Sequence, residues 1–167
     1  LRRSRGLGDV YKRQDLDCAD QQPMRLHQPL DFAGYACLSP DGGRLAWMEW
    51  QQPAMPWDCS QLWCAEITAD GALRTPQPIA GGAGISVFQP QWLPDGSLVV
   101  ADDSTGWWNL MLQPEGASSW QKPWPMAAET AMPQWIYGMR TTAWDGERLL
   151  AAICHEGAWS LKRLGLD

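Results

Sequence analysis

Three segments of the chain share one pattern, an Asp-Gly pair followed by a short apolar run. LSPDGGRLAWMEW (38–50), WLPDGSLVVADD (92–103) and AWDGERLLAAICH (143–155) place these pairs at Asp41-Gly42, Asp95-Gly96 and Asp145-Gly146. The spacing repeats with a period of roughly fifty residues. Asp-Gly supplies the positive φ angles of a tight hairpin turn, and the residues on either side are strand formers. Each unit is therefore expected to contain a β-hairpin.

A further strand is expected after each hairpin, in QLWCAEI (61–67), WWNLML (107–112) and AWSLKRL (158–164). A fourth is expected at 73–80, directly after the turn signal Asp70-Gly71. In QLWCAEI, Leu62, Cys64 and Glu66 point one way and Trp63, Ala65 and Ile67 the other, so both faces are largely apolar. A sheet packed between two neighbouring sheets needs that mixture, whereas a surface sheet would be polar on one side. A repeated four-stranded unit, apolar on both faces and within or just above the usual blade length, predicts an all-β fold. The chain reads as a partial β-propeller of about three four-stranded blades over 38–167, preceded by a partial blade or connecting segment at 15–37.

The composition agrees. The chain has 12 Trp, 16 Gly and 13 Pro, and only 19% of it is charged. No window keeps a helical apolar period for three turns without a breaker. The net charge of -6, with no basic stripe beyond the N-terminus, argues against a nucleic-acid partner. No apolar run approaches the roughly 18 to 20 residues of a membrane helix, and no signal-peptide core follows the first arginines. The expectation is a soluble protein, no membrane partner, and a cytoplasmic location by default.

The first fourteen residues, LRRSRGLGDVYKRQ, are basic, whereas the remainder is acidic and tryptophan-rich. They read either as a disordered basic tail or, preferably, as translated adapter sequence of the kind found at the ends of assembled environmental reads, in which case upstream coding sequence is missing.

The chain contains no GxSxG, the element that presents a hydrolase serine after a strand. His27 is expected in a linker and His155 at a strand end, both as structural residues. Gly81 to Gly84 (GGAG) lacks the Gly-Lys-Ser/Thr ending of a phosphate loop and reads as a turn between blades. Asp102 and Asp103 lack the alternating oxygen ligands of a calcium loop and read as a polar turn. Cys18, Cys37, Cys59, Cys64 and Cys154 include no pair with zinc-knuckle spacing. They are expected as reduced core or surface residues, with an undetected disulfide or metal role the remaining alternative. Among the tryptophans, Trp47, Trp63, Trp107 and Trp108 are expected in the inter-blade core. Trp50 and Trp57, beside the loop QQPAMPWD, are expected to be partly exposed, where aromatic rings suit peptide or sugar binding. No catalytic, cofactor-binding or metal-ligating residue is assigned, and no cofactor is expected.

Three motifs in series carry a resemblance. LSPDGGRLAWMEW is followed by Met55, Pro56, Trp57 and Asp58 and then by Glu66 in the next strand. SVFQPQWLPDGSLVVADDSTGWWNL (86–110) comes next, and PQWIYGM (133–139) after it. In this order they resemble the propeller of the prolyl oligopeptidase family of serine peptidases, of the kind labelled dipeptidyl aminopeptidase or acylaminoacyl-peptidase. The likeness covers roughly residues 30–167. It implies a larger parent, in which a seven- or eight-bladed propeller caps a C-terminal α/β-hydrolase domain bearing a Ser, Asp and His triad and no metal or cofactor. None of the triad positions lies in this chain.

The resemblance further implies that the partners of these blades are the remaining blades and the hydrolase domain, with short peptides admitted as substrates. Cys59 and Ser60 depart from the Gly and Thr usual in the family pattern. Leu93 stands where a Ser commonly precedes Pro-Asp-Gly, which puts the rigidity of that turn in question. The alternative reading is a stand-alone Tol-type propeller acting as a protein-binding scaffold. A third, a sugar-binding or hydrolase propeller using exposed Trp, would need clustered carboxylates, which the sequence lacks.

Overall fold

Both faces of the central sheet are covered, and that burial organises everything the computed structural model describes, namely residues 11–13, 22–29 and 31–165. The first blade is a four-stranded meander of β3 (Phe32–Leu38), β4 (Arg44–Trp50), β5 (Gln61–Ile67) and β6 (Leu73–Gly81). The second runs β7 (Val87–Trp92), β8 (Leu98–Asp102) and β9 (Asn109–Gln113). The third runs β10 (Thr142–Trp144), β11 (Leu149–His155) and β12 (Ala158–Leu164). Every pairing is antiparallel, and no helix long and apolar enough to cross a membrane is among the described residues.

Two short strands precede the blades, β1 (Tyr11–Arg13) and β2 (Met24–His27), and they pair with each other. The first blade opens at Phe32, within the segment 15–37 that the sequence leaves as a partial blade or connector. Apart from the backbone of 11–13, the basic N-terminal fourteen residues lie outside the described residues, as does Cys18.

The blades differ in completeness. The second has three strands, with its fourth reduced to a single bridge in which Leu112 and Gln121 exchange backbone hydrogen bonds of 2.9 and 2.7 Å. Pro114, Pro123 and Pro125 flank that bridge, and proline cannot donate to a ladder. In the first blade the outer strand β6 survives with Pro76 and Pro78 because it is the outermost strand of its sheet, the position where proline is tolerated and blunts further pairing.

Side-chain alternation divides the core. From β4, Ala46 packs towards the second blade with Leu62, Val87, Leu98, Val100 and Met111. Leu45 and Trp47 face the other way, with Ala33, Ala65 and Leu26 of β2. From β8, Val99 and Ala101 turn towards the third blade, meeting Leu149, Ala151 and Ile153. All five residues of β8 are buried. Fully burying a Val or Leu side chain, as at Leu98, Val99 and Val100, contributes about 1.5 to 3 kcal/mol.

The innermost strands β3 and β7 carry a bulge at the same repeat position, six residues before the Asp of the turn. Tyr35 (φ 55°) and Gln89 (φ 51°) adopt left-handed backbone there, and the register of each strand shifts around them. A bulge adds one residue and re-aims its side chain. Both side chains then reach one connector: the Tyr35 hydroxyl donates to the Ile136 carbonyl (3.0 Å). The Gln89 amide donates to Thr141 Oγ1 (2.6 Å) and accepts from the Thr141 N–H (2.7 Å).

Hydroxyl and indole groups staple blade to blade. Ser60 Oγ donates to the Val87 carbonyl (3.0 Å) and accepts from the Val87 N–H (2.9 Å), while Ser86 Oγ donates to the Pro56 carbonyl (2.5 Å). Ser60 thus keeps a hydroxyl where the family pattern has threonine. Trp92 donates to the Cys37 carbonyl (3.2 Å) and Trp120 to that of Ile79 (2.8 Å), both from the second blade or its trailing segment into the first.

The Asp-Gly turns are locked by their aspartates. Asp41 Oδ1 accepts from Ser39 Oγ (2.5 Å) and the Gly43 N–H (3.0 Å). Asp145 Oδ1 accepts from the N–H groups of Glu147 (2.9 Å) and Arg148 (2.7 Å). In the second blade, where Leu93 stands in place of a serine, the turn keeps its lock from the other side. Ser97 donates its N–H (3.0 Å) and hydroxyl (3.1 Å) to Asp95, so rigidity is retained while Leu93, fully buried, joins the core.

Replacing Ser60 with Ala is expected to lower unfolding free energy by about 1 to 3 kcal/mol, because it leaves the Val87 N–H buried without a partner. Urea unfolding at equilibrium measures this, and an unchanged midpoint would contradict the clamp. The turns also set an acid limit. The Ser39 hydroxyl holds the Asp41 carboxyl below its usual range, and the Arg148 and Glu147 N–H groups do the same for Asp145. Carboxyls depressed in the folded state stabilise it above the unfolded pKa, about 3.9, and that contribution is lost as pH falls through the folded values. Melting temperature is therefore expected to fall below about pH 4, and more shallowly in an Asp41→Asn, Asp145→Asn double variant.

Candidate functional site

A group of half-buried and exposed aromatic side chains sits where the first blade meets the 133–141 connector. It gathers at the end of the blade that carries the start of β3, the end of β4 and the 51–60 loop. Phe32 and Trp50, register partners on β3 and β4, stack at 5.5 Å and 14°. Trp57 comes from the 51–60 loop and lies 4.5 Å from the ring of Trp135. Tyr137 closes the group against Trp50 and Tyr35, at 6.2 Å from each. Between them is a cavity of about 420 Å³, within the range of small-ligand sites.

Three consecutive residues of the connector, Trp135, Ile136 and Tyr137, stand out from the surface, with Trp135 72% exposed. An apolar run left in water marks a contact surface. The run is nevertheless held in place. Tyr35, bent towards it by the bulge, donates its hydroxyl to the Ile136 carbonyl, and burial pushes the Tyr35 phenol above its ordinary pKa. Gly34 makes room for Tyr137, since a Cβ there would lie 2.7 Å from the ring. The arrangement offers flat apolar faces and a phenol, and can grip an apolar or aromatic group; it contains no nucleophile paired to a base.

The other residues weighed from the sequence have structural work. His27 lies in β2, and is not in a linker. It is paired by a hydrogen bond of 2.5 Å with Glu49 and lies between the rings of Trp47 (5.0 Å) and Trp63 (5.7 Å). The strand forms because Leu26 joins the apolar face that β4 and β5 present there. His155 ends β11 and is exposed. The glycines 81–84 form the turn into the second blade; Gly81 is required, because a Cβ on it would meet the Ser60 carbonyl oxygen at 2.2 Å. Asp102 accepts from Ser104 Oγ (3.0 Å), and Asp103, whose carboxyl burial pushes up in pKa, accepts from the Ser86 N–H (2.8 Å).

Cys37, Cys59, Cys64 and Cys154 are unbonded. Burial pushes the Cys37 thiol up to about 12, which leaves it unreactive. Of the tryptophans, Trp47 and Trp108 are buried. Trp63, Trp50 and Trp57 are half-buried and Trp107 is exposed, so Trp107 is not in the inter-blade core. The doublet 107–108 is split because Trp107 lies in the bend before β9, whereas Trp108 packs into the core beside it. Sequence reasoning singled out Trp50 and Trp57 but missed Phe32, Tyr35, Trp135, Ile136 and Tyr137. The usable signal was the run WIY, three large apolar residues beside a glycine and outside any strand pattern.

No family model and no curated protein matches the chain. Solved structures do. A puromycin-hydrolyzing peptidase of Mycobacterium tuberculosis superposes with a TM-score of 0.80 at 32% identity, over 86% of this chain and 22% of that one. A puromycin hydrolase superposes with a TM-score of 0.79 at 33% identity, over 85% of this chain and 22% of the other. A mutant of puromycin hydrolase complexed with PGG gives the same figures. The chain spans 22% of the length of these relatives.

Substituting Gly34 with Ala is expected to displace the Tyr137 ring while lowering stability by no more than about 1 kcal/mol, because the ring that must move is exposed. Quenching of tryptophan fluorescence by acrylamide should rise as Trp50 loses its cover. Unchanged quenching would show that Tyr137 does not seal this cavity.

Proposed function

The chain belongs to the propeller region of the prolyl oligopeptidase family, and on that premise we propose that it serves as the gate of a serine peptidase. The blades sit over an α/β-hydrolase domain supplied by the same protein and restrict entry to short peptides. The observation that carries this reading is the match itself: a puromycin-hydrolyzing peptidase and a puromycin hydrolase align over 85% or more of the chain at 32 to 33% identity. Identity at that level, spread over three blades and their connectors, exceeds what shared architecture alone requires.

The blades supply shape and a chain of buried sheets, while the chemistry falls to a Ser, Asp and His triad on the hydrolase domain. A rigid wall of stacked blades suits a filter, because face-to-face burial leaves little freedom for the passage to widen. The reading places the protein in the cytoplasm, where unbonded thiols such as those of Cys37 and Cys64 stay reduced.

Sequencing the source DNA across both ends of this chain, followed by assay of the full-length protein, tests the proposal. The expected result is a downstream GxSxG region. The enzyme should cleave short peptides at least about tenfold faster than the same bond inside a folded protein, with loss of activity when that serine becomes alanine. A reading frame without a hydrolase region would refute the peptidase reading. Equal cleavage of folded and short substrates would refute the gate.

A further inference from the structure

The aromatic cavity contains one group that its apolar lining does not explain. Gln134, at the start of the exposed Trp135–Ile136–Tyr137 run, lines the cavity and is only 6% exposed. Neither its amide oxygen nor its amide nitrogen has a hydrogen-bond partner in the protein. Leaving a carbonyl and an NH2 group unpaired in an apolar setting is destabilising, and buried polar groups are almost always satisfied. A side chain held this way is matched to something that arrives.

The amide defines what that is. Along one edge it offers an acceptor and a donor, side by side and coplanar, the complement of the N–H and C=O that a single residue of an extended peptide turns to the same side. Around it stand the faces of Phe32, Trp50, Trp57 and Tyr137, which grip an apolar or aromatic side chain. A mineral anion or a cation would find no charged partner in this lining, and a sugar would leave most of its hydroxyls facing rings.

We propose that this cavity is a peptide-recognition pocket, in which an apolar or aromatic side chain fills the aromatic cage and the backbone N–H and C=O of one extended residue beside it pair with the Gln134 amide. Its depth below the surface assigns a second role to Trp135. That ring, 72% exposed and resting 4.5 Å from Trp57, is the part of the wall that swings aside, because the Gln134 amide is otherwise sealed. Entry then exchanges a water-exposed indole and an unpaired amide for a filled cavity. The proposal rests on the peptidase reading, and gives that enzyme a preference for peptides with a large apolar side chain at a position away from the cleaved bond.

The test is calorimetric titration of the full-length protein with acetyl-Gly-Phe-Gly-amide, acetyl-Gly-Ala-Gly-amide and 4-ethylphenol, the last a probe with a ring but no peptide group. The Phe peptide should bind at least about tenfold more tightly than the Ala peptide and should displace 4-ethylphenol. Gln134→Leu should weaken the Phe peptide about tenfold while leaving 4-ethylphenol within about twofold and the melting temperature no lower, since it removes only unpaired polar atoms. Trp57→Ala should weaken both probes.

Equal affinity of the Phe peptide for wild type and Gln134→Leu would overturn the proposal, as would simultaneous binding of peptide and 4-ethylphenol, an outcome that needs no variant. Hydrolysis assays on the same preparation separate the two readings. Peptide cleavage with a KM unmoved by Gln134→Leu would remove the pocket and keep the peptidase. Peptide binding that depends on Gln134, without any cleavage, would keep the pocket and remove the peptidase.

Discussion

Burial of both faces of a sheet is the constraint on which this structure rests. A β-sheet covered on one side is an ordinary surface element, but β8 has water on neither, so its residues must satisfy two neighbours at once. Val100 belongs to one core and Val99 and Ala101 to another. The alternation of a strand therefore distributes side chains between two interfaces. From that follow the scarcity of charge, the high tryptophan content and the long stretches in which successive residues are all buried.

Stacked sheets slide unless something fixes their registry, and here polar groups at the rims do it. The Ser60 hydroxyl grips both backbone groups of Val87, and indole nitrogens of Trp92 and Trp120 reach carbonyls of the preceding blade. Tryptophan suits this task because one side chain combines a large apolar body with a single donor at its edge. The bulges at Tyr35 and Gln89 add a further tie, to the connector that carries the aromatic run. The site is thus built by the same contacts that hold the blades together.

Much of the fold was legible in the residues. The Asp-Gly turns and the period between them located the hairpins. The strands at 61–67 and 158–164 fall where alternation placed them, because both signals are local and each is dictated by backbone sterics. The reduction of the second blade to three strands was less visible, since it follows from prolines whose effect depends on which neighbour a strand has. His27 was misread as linker because the partner that makes a strand of it, the apolar face of the first blade, lies far along the chain. The aromatic cavity was half legible. Trp50 and Trp57 could be picked out beside a proline-rich loop, but Tyr35 and Tyr137 are separated by about a hundred residues and meet only because of a backbone bulge that no composition rule announces.

The prolines of β6 have a consequence for how such a chain can be lengthened. Pro76 and Pro78 sit on the outward strand of the first blade, so that rim cannot recruit another strand by backbone pairing. At that rim new material is added by laying a complete sheet against an exposed face, not by widening the existing one. The architecture therefore grows there in whole units, and duplicating or deleting one blade in the gene alters the number of stacked layers while leaving the backbone ladder within each remaining blade intact.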